Sequence, residues 1–292
     1  LQKAARVLCS EEYRAALRQQ LAAGARSFAA ARQAAVQALC PGSDIAALLD
    51  KPNNNLAVEY CKAIIEQNVE MRPIALPRQG ADHGQALTES SHTAFASASA
   101  LRTLWAEGGA ALLAPYVPEK ALELYKQAEY DGKYTDFAVM GHCELALLRA
   151  ACAEQTPFAA VRGVSEGLEH RLENAVRETA SLPALLDALT TVRYPRARMR
   201  RLAMDAALGY TAQTPALPPY LHLLGARREA LPLPVETALP MSHSLARLAR
   251  ENEACAQMAA AQSRASDLGA LCRAKPEPMG GIYRQKIIFL TN

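Results

Sequence analysis

Alanine makes up about a fifth of this 292-residue chain, and this excess constrains the fold more than any other feature of the sequence. Alanine loses no side-chain entropy in a helix, so a chain this rich in alanine favours helices. Aromatic residues account for only 5% of the chain, whereas an all-β protein needs many aromatic and β-branched residues. The sequence therefore predicts a mainly α protein.

Composition also excludes several classes of protein. Half of the residues are hydrophobic and 21% are charged, which excludes wholesale disorder and leaves material for one large domain or two ordinary ones. No run approaches the ~20 apolar residues of a membrane-spanning helix, so we expect no membrane partner. The seven cysteines show neither a disulfide framework nor zinc spacing. We therefore expect free thiols, a cytoplasmic location and no protein-bound metal.

Capping residues and apolar periodicity place most of the helices. Ser10 is predicted to cap one helix that Gly24 ends, and Ser27 to cap the next one. Apolar residues in segments 182–192 and 199–210 recur at helical spacing. The proline-rich stretch 211–240 is expected to be irregular, residues 245–272 to be helical, and residues 282–290 to form a terminal strand or an extended arm.

One segment departs from the helical pattern. Residues 71–76 predict a short strand, and Pro73 favours a position at the edge of a sheet. Because a lone strand cannot form a sheet, its partners must come from elsewhere. This strand, the polar loop 79–92 and a helix that starts near Ser97 suggest a small piece of an α/β domain within the helical chain.

Two segments suit the binding of phosphate groups. Asn53 and the two asparagines after it precede a helix, whose N-terminus attracts anions; the alternative is that they are capping and turn residues. Ser97, Ser99 and Arg102 lie at the start of another helix, where two hydroxyls and a guanidinium can converge on one phosphate. The alternative for these residues is again helix capping.

A dense group of arginines suggests an RNA surface. Within residues 193–201 there are five arginines and a tyrosine that could stack on unpaired bases: Arg193, Tyr194, Arg196, Arg198, Arg200 and Arg201. Segment 161–228 holds ten arginines against six acidic residues, in a chain with a net charge of only +3. Concentrated positive charge is typical of nucleic-acid binding, and the alternative is a solvated helical face.

Common catalytic motifs are missing from the chain. It contains no G-x-x-x-x-G-K-[ST], G-x-G-x-x-G or G-x-S-x-G sequence. His142, Cys143 and Glu144 lie within an apolar run, so we predict that they belong to the core or to a helix surface.

Five motifs in consistent order over residues 1–225 nevertheless resemble one family, the bacterial tRNA(Met) cytidine acetate ligases of the HIGH-type nucleotidyltransferase superfamily. The matches are residues 52–60 to PNNILGIEY, 78–81 to R-x-G-A, 97–102 to S-A-T-A-I-R, 164–171 to V-S-E-G-L-E-N-R, and 193–201 to K-R-Y-T…R. Among the positions that depart from the family, Ser99 replaces threonine and keeps the hydroxyl, and His83, just after the R-x-G-A match, replaces tyrosine.

The resemblance implies an ATP-dependent ligase that forms acetyl-adenylate from acetate and acetylates the wobble cytidine of elongator tRNA(Met). ATP, with or without bound Mg²⁺, is a substrate in this reaction. The resemblance assigns no catalytic residue. By match, the ATP contacts would be Asn53, Arg78, Ser97, Ser99 and Arg102. The arginine-rich segment 193–201 would hold the tRNA through its phosphates.

The chain lacks the H-x-G-H motif with which the family begins, so we expect a C-terminal portion that is inactive alone. Residues 1–110 would then contain a helical segment and a remnant of the Rossmann-like nucleotide-binding domain, and residues 111–292 a helical bundle-like tRNA-binding domain. The oligomeric state stays open. The alternative function is a non-catalytic helical module that binds RNA or a protein partner.

Overall fold

The computed structural model describes residues 1–25, 27–76, 96–230 and 237–290. The chain divides into two compact units, Leu1–Gly80 and Ala81–Asn292, and each is described by itself. Most of the described residues are helical, which confirms the prediction of a mainly α protein. The predicted boundary between residues 110 and 111 concerns the functional division of the chain and stays a prediction.

The first unit is helical throughout its regular structure. Its helices are α1 (Gln2–Cys9), α2 (Glu11–Ala22), α3 (Phe28–Leu39), α4 (Ile45–Leu48) and α5 (Pro52–Glu66). The predicted caps are confirmed: the Ser10 hydroxyl accepts from the Tyr13 amide at 3.1 Å and the Ser27 hydroxyl from the Ala30 amide at 3.2 Å. Gly24 follows α2 with φ of +83°, a conformation that ends helices.

Alanine builds much of the core of this unit. Ala5, Ala31 and Ala35 are fully buried, as are Val36 and Val58. Small side chains let helix backbones approach closely, so the alanine excess serves packing as well as helix propensity. An exposed ion pair between Arg32 and Glu59, at 2.9 Å, links α3 to α5.

The predicted strand at residues 71–76 is wrong. This segment is irregular, and none of the described residues pairs with it as a strand. A strand is defined by its partner, and Pro73 also lacks the amide hydrogen that a ladder needs. Ile74 is 81% exposed and Leu76 is 88% exposed, so the segment presents apolar side chains at the surface.

In the residues of the second unit that the structure describes, there are the remaining helices and four short strands. The helices are α6 (Ala98–Gly108), α7 (Glu119–Asp131), α8 (Phe137–Ala151), α9 (Leu168–Glu178), α10 (Leu182–Leu189), α11 (Arg196–Ala207), α12 (Leu245–Leu248), α13 (Glu253–Leu271) and α14 (Gly281–Arg284). The strands are β1 (Leu221–His222), β2 (Gly225–Arg227), β3 (Met241–Ser242) and β4 (Ile288–Leu290). Short 3₁₀ helices cover Ala110–Leu113 and Arg228–Ala230.

Helices α8 to α11 surround the main core of this unit. The apolar periodicity predicted for two of them is confirmed within the helices, because Leu185 and Leu189 of α10 and Met199 and Ala203 of α11 are fully buried. It does not extend to Val192, which lies beyond α10 and is 80% exposed, or to Tyr210, which lies beyond α11. They pack with residues of α8 and α9 in one hydrophobic cluster. This cluster fixes the side of α11 that faces inward and therefore the side that carries exposed arginines.

The C-terminal part adds a smaller core and two parallel ladders. Tyr220, Leu245, Leu248, Cys255 and Ala259 form that core. Strand β1 pairs with β3, and β2 pairs with β4 in the register Gly225 to Ile288. The terminal strand predicted for residues 282–290 is thus confirmed only for its last part, because α14 occupies the first part. Among the helices that the structure describes, none has both the length and the apolar character needed to cross a bilayer.

Candidate nucleotide and RNA sites

The three consecutive asparagines divide into two that stabilise a turn and one that is exposed. The Asn54 side-chain amide donates to the Leu48 carbonyl at 3.1 Å, and that of Asn55 donates to the Leu49 carbonyl at 2.6 Å. These bonds fasten the end of α4 to the start of α5. Asn53 is exposed on the first turn of α5, which has neither an acidic residue nor a side-chain cap. Of the three, Asn53 is therefore the one available to a ligand.

The serines at the start of α6 divide in the same way. Ser97 is buried, and its hydroxyl accepts from the Ala100 amide at 3.2 Å, so it caps the helix. Ser99 and Arg102 are exposed, and residues three apart lie on the same face of a helix. The first turn of α6 carries no acidic residue. Ser99 and Arg102 thus present a hydroxyl and a guanidinium together at the positive end of a helix.

The predicted ATP contacts are distributed over both units. Asn53 belongs to the first unit, whereas Ser97, Ser99 and Arg102 belong to the second. Arg78 lies outside the described residues. The first unit also has an open, mainly apolar cleft of about 920 Å³, lined by residues that include Tyr60, Ile64 and Ile74 but not Asn53.

Ion pairs occupy two of the five arginines in segment 193–201. The Arg193 guanidinium lies 2.5 Å from a carboxylate oxygen of Glu166. Arg196 forms an ion pair with Asp187 of α10. Both pairs are exposed, so their contribution to stability is small, but they reduce the charge that these two arginines offer to a ligand.

The other three arginines keep more of their charge available. Arg198 lies over the ring of Tyr194, with its Cζ atom 5.1 Å from the ring centroid. Arg200 and Arg201 are exposed and form no hydrogen bond or ion pair with residues that the structure describes. Helix α11 buries Met199, Leu202, Ala203 and Ala206, and Arg201 lies roughly opposite this buried face. We call the solvent-facing surface of α11 that carries Arg198, Arg200 and Arg201 the free arginine face. It spans most of the exposed side of the helix, because Arg198 and Arg200, two residues apart, lie on opposite flanks.

Tyr194 is held in place on several sides. Its hydroxyl donates to Glu166 at 3.1 Å, and the ring is half-buried against the main core. The Arg193 Cζ atom lies 5.8 Å from the ring centroid, in addition to the Arg198 contact. In this arrangement Tyr194 positions two arginines. The sequence had instead suggested that its ring could stack on unpaired bases.

Glu166 is a site residue to which the sequence reasoning gave no role. Its backbone has φ of +58°, followed by Gly167 at +80°. A left-handed conformation is uncommon for a non-glycine residue and marks a locally strained position. Its carboxylate accepts from both Arg193 and Tyr194. The signal was available, because Glu166 lies within the 164–171 motif, but its partners are 27 and 28 residues away in sequence.

A cleft of about 470 Å³ adjoins this arrangement. Glu166, Tyr194 and residues along one face of α9, including Arg171, Asn174 and Glu178, line it. The Arg171 guanidinium also donates to the Ala188 carbonyl at 2.7 Å and so fixes α9 against the end of α10. The cleft is a polar depression beside the arginines of segment 193–201.

Glu144 belongs to the core, which is one of the two outcomes that the sequence predicted for it. This side chain on α8 is 1% exposed, and its Oε1 atom has no hydrogen-bond partner in the part of the chain that the structure describes. Burial raises the pKa of the Glu144 carboxyl to about 7, although the positive charge of Arg200 opposes the rise. His142 instead lies on the helix surface, with Nδ1 2.9 Å from the Ala138 carbonyl oxygen.

No group of three or more His, Cys, Asp or Glu side chains could hold a metal ion within the described residues. All seven cysteines are free thiols, as the sequence predicted. Burial is the largest cause that raises the pKa of the Cys272 thiol to about 11, and the nearby Cys143 adds to it. A thiol held protonated is a poor nucleophile, so Cys272 serves packing.

Comparison with known proteins shows which family the chain resembles. The family described as HIGH Nucleotidyl Transferase matches residues 1–279. The chain belongs to this family. The match covers the motifs in both units and confirms the resemblance found in the sequence. The structural relatives share the fold: the apo crystal structure of Thermotoga maritima TmcAL superposes with a TM-score of 0.82 at 23% identity, over 99% of this chain and 74% of that one.

The related sequences include named ligases. The tRNA(Met) cytidine acetate ligase of Listeria monocytogenes is 31% identical over 183 residues, which are 61% of this chain and 44% of that protein. The protein of the same name from a Geobacillus strain is 28% identical over 206 residues, or 65% of this chain and 50% of that protein. This chain therefore matches half or less of the length of these relatives. A second Thermotoga maritima TmcAL structure, bound with alpha-thio ATP, has a TM-score of 0.80 at 22% identity.

Proposed function

We propose that this chain is part of an ATP-dependent ligase that activates acetate as acetyl-adenylate and acetylates the wobble cytidine of elongator tRNA(Met). The chain supplies part of the ATP site and the surface that holds the tRNA. The observation that carries the proposal is the family match over residues 1–279, together with named relatives that are tRNA(Met) cytidine acetate ligases. The free arginine face of α11 is the candidate RNA surface within it.

The ATP part of the proposal rests on exposed groups at two helix starts. Ser99 and Arg102 would contact phosphate oxygens from α6, and Asn53 would contact the nucleotide from α5. Donors aimed at the α-phosphate stabilise the negative charge that builds there and on the departing pyrophosphate. Mg²⁺ would accompany ATP as part of the substrate. Ser97 would act indirectly, because its hydroxyl already caps α6, and Arg78 stays in the proposal on its motif alone.

The RNA part rests on three arginines that form no ion pair with the described residues, although buried Glu144 interacts electrostatically with Arg200. Arg198 and Arg201, three residues apart on α11, share a face and can contact neighbouring phosphates of a folded RNA, while Arg200 projects from another side of the helix. Such contacts release counterions, so the affinity falls as salt concentration rises. A cytoplasmic location belongs to the same proposal, since free thiols and a tRNA substrate both suit it.

The experiment expresses the chain in its natural reading frame, with any segment that precedes Leu1, and incubates it with tRNA(Met), ATP and acetate. Mass spectrometry of the digested tRNA should detect acetylcytidine that depends on both ATP and acetate. Arg102→Ala should reduce its formation, whereas Arg250→Ala, a change at another exposed arginine of the second unit, should not. A protein that contains H-x-G-H and forms no acetylcytidine would overturn the ligase proposal.

The alternative function is a non-catalytic helical module that binds RNA or a protein partner. The free arginine face favours this alternative as much as it favours the ligase. Salt-dependent tRNA binding without any nucleotide binding by the natural protein would decide for the module.

A further inference from the structure

The cleft beside segment 193–201 is the feature that the proposed function leaves without a role. Its volume of about 470 Å³ lies within the range of about 300–1,000 Å³ that is usual for small-ligand sites. Its lining combines apolar residues, Leu168, Ala175 and Ala188, with polar side chains of mixed charge: Glu166, Arg171, Asn174, Glu178 and Tyr194. The cleft is therefore suited to a planar polar group that both donates and accepts hydrogen bonds.

Two carboxylates give the cleft a preference among such groups. A carboxylate only accepts hydrogen bonds, so Glu166 and Glu178 favour a ligand that carries N–H donors. The Asn174 amide can both donate and accept. Arg193 and Tyr194 hold Glu166 through bonds of 2.7 Å and 3.1 Å, but each oxygen can accept a further bond, so Glu166 stays competent as an acceptor.

The surroundings indicate where the ligand comes from. Arg193 and Arg198 lie against Tyr194, at the wall of the cleft. Arg193 is paired with Glu166, so the positive charge of Arg198 is the one that attracts a polyanion to a cleft whose own carboxylates would repel it. The ligand should therefore have a negatively charged backbone that stays outside the cleft and a planar group with amino hydrogens that enters it. An unpaired nucleotide has both features.

We propose that this cleft binds one unpaired base of the RNA substrate, and that it selects a base with an exocyclic amino group. Cytosine offers such a group to Glu166 or Glu178, whereas uracil would place a carbonyl oxygen against a carboxylate. The adjoining sugar-phosphate is held by Arg198, because Arg193 is already paired with Glu166. This inference rests on the proposed RNA-binding function and adds base selectivity to it.

The experiment measures fluorescence anisotropy of the protein with labelled oligocytidine and oligouridine of equal length, at one fixed salt concentration. The same titrations use Glu178→Gln and Asn174→Ala, which alter exposed side chains of the cleft. Glu169→Gln is the matched control, because it removes the same charge from the same helix outside this cleft. Full-length tRNA is titrated in parallel to measure RNA binding as such.

The wild-type protein should bind oligocytidine at least about five-fold more tightly than oligouridine, as one base contact of this kind commonly provides. Glu178→Gln and Asn174→Ala should reduce this preference and change oligouridine binding little, while Glu169→Gln keeps the preference. Equal affinity of the wild type for both oligonucleotides, with tRNA still bound, would overturn the cleft proposal alone. A protein that binds no tRNA would overturn both proposals.

Discussion

Replacing Glu144 by glutamine should make the protein more stable at neutral and higher pH. Glu144 is 1% exposed on α8, and one of its carboxylate oxygens has no partner among the described residues. Glutamine keeps the size of the side chain and removes the charge. An unpaired buried charge is unfavourable because water no longer solvates it, so its removal should stabilise the folded state.

The magnitude follows from the pKa in the two states. Burial raises the folded-state pKa of Glu144 from an ordinary value of 4.5 to about 7. The folded protein then binds this proton more tightly than the unfolded chain does, so stability falls as pH rises from about 4.5 to about 7. At about 1.4 kcal/mol per pKa unit, the loss reaches about 3 kcal/mol above pH 7. Below about pH 4.5 the carboxyl is protonated in both states, and the loss vanishes.

Urea unfolding of wild type and Glu144→Gln at several values between pH 4.5 and pH 8 tests this reasoning. The free energy of unfolding of the variant should increase relative to that of the wild type as pH rises, and the difference between the two should level off above pH 7. Glu154→Gln, a change at an exposed glutamate after α8, should stay within about 0.5 kcal/mol of wild type throughout. A difference between Glu144→Gln and wild type that is constant over this range would refute the argument.

Three further changes test the core, a cap and the RNA surface. Leu185→Ala, at a fully buried position of α10, should lower the free energy of unfolding in urea by about 2–5 kcal/mol; a loss below 1 kcal/mol would contradict the packing. Ser97→Ala should cost about 1 kcal/mol by the same measurement, since it removes the cap of α6, and Ser99→Ala serves as its exposed control. Arg201→Ala should reduce the slope of log affinity for tRNA against log salt by about 0.7–0.9, and an unchanged slope would remove this residue from the RNA surface.

Local features of the fold could be predicted from the sequence. The Ser10 and Ser27 caps and the inward face of α10 depend on residues within a few positions of one another. A helix satisfies its own hydrogen bonds, so its signal is contained in its own residues. The strand predicted at residues 71–76 failed for the opposite reason, because a strand depends on a partner that a local pattern does not reveal.

The candidate sites show the same division between local and distant contacts. The sequence indicated three asparagines and two serines at helix starts, and the structure assigns Asn54, Asn55 and Ser97 to hydrogen bonds that hold the helices. What remains exposed is one member of each group, Asn53 and Ser99. Residue type alone could not separate the two roles, because the bonds depend on where neighbouring carbonyls and amides lie.

The arginines of segment 193–201 show most clearly how distant contacts change a role inferred from residue type. Counted in sequence, five of them would each contribute to RNA binding. In the structure, Glu166 and Asp187 accept ion pairs from Arg193 and Arg196 across distances of 27 and 9 residues. An arginine already paired must release its acidic partner before it gains from a phosphate, so it adds less to affinity than a free one does. The salt dependence of RNA binding should therefore reflect nearer three arginines than five, and Glu166 serves to hold the wall of the cleft in place.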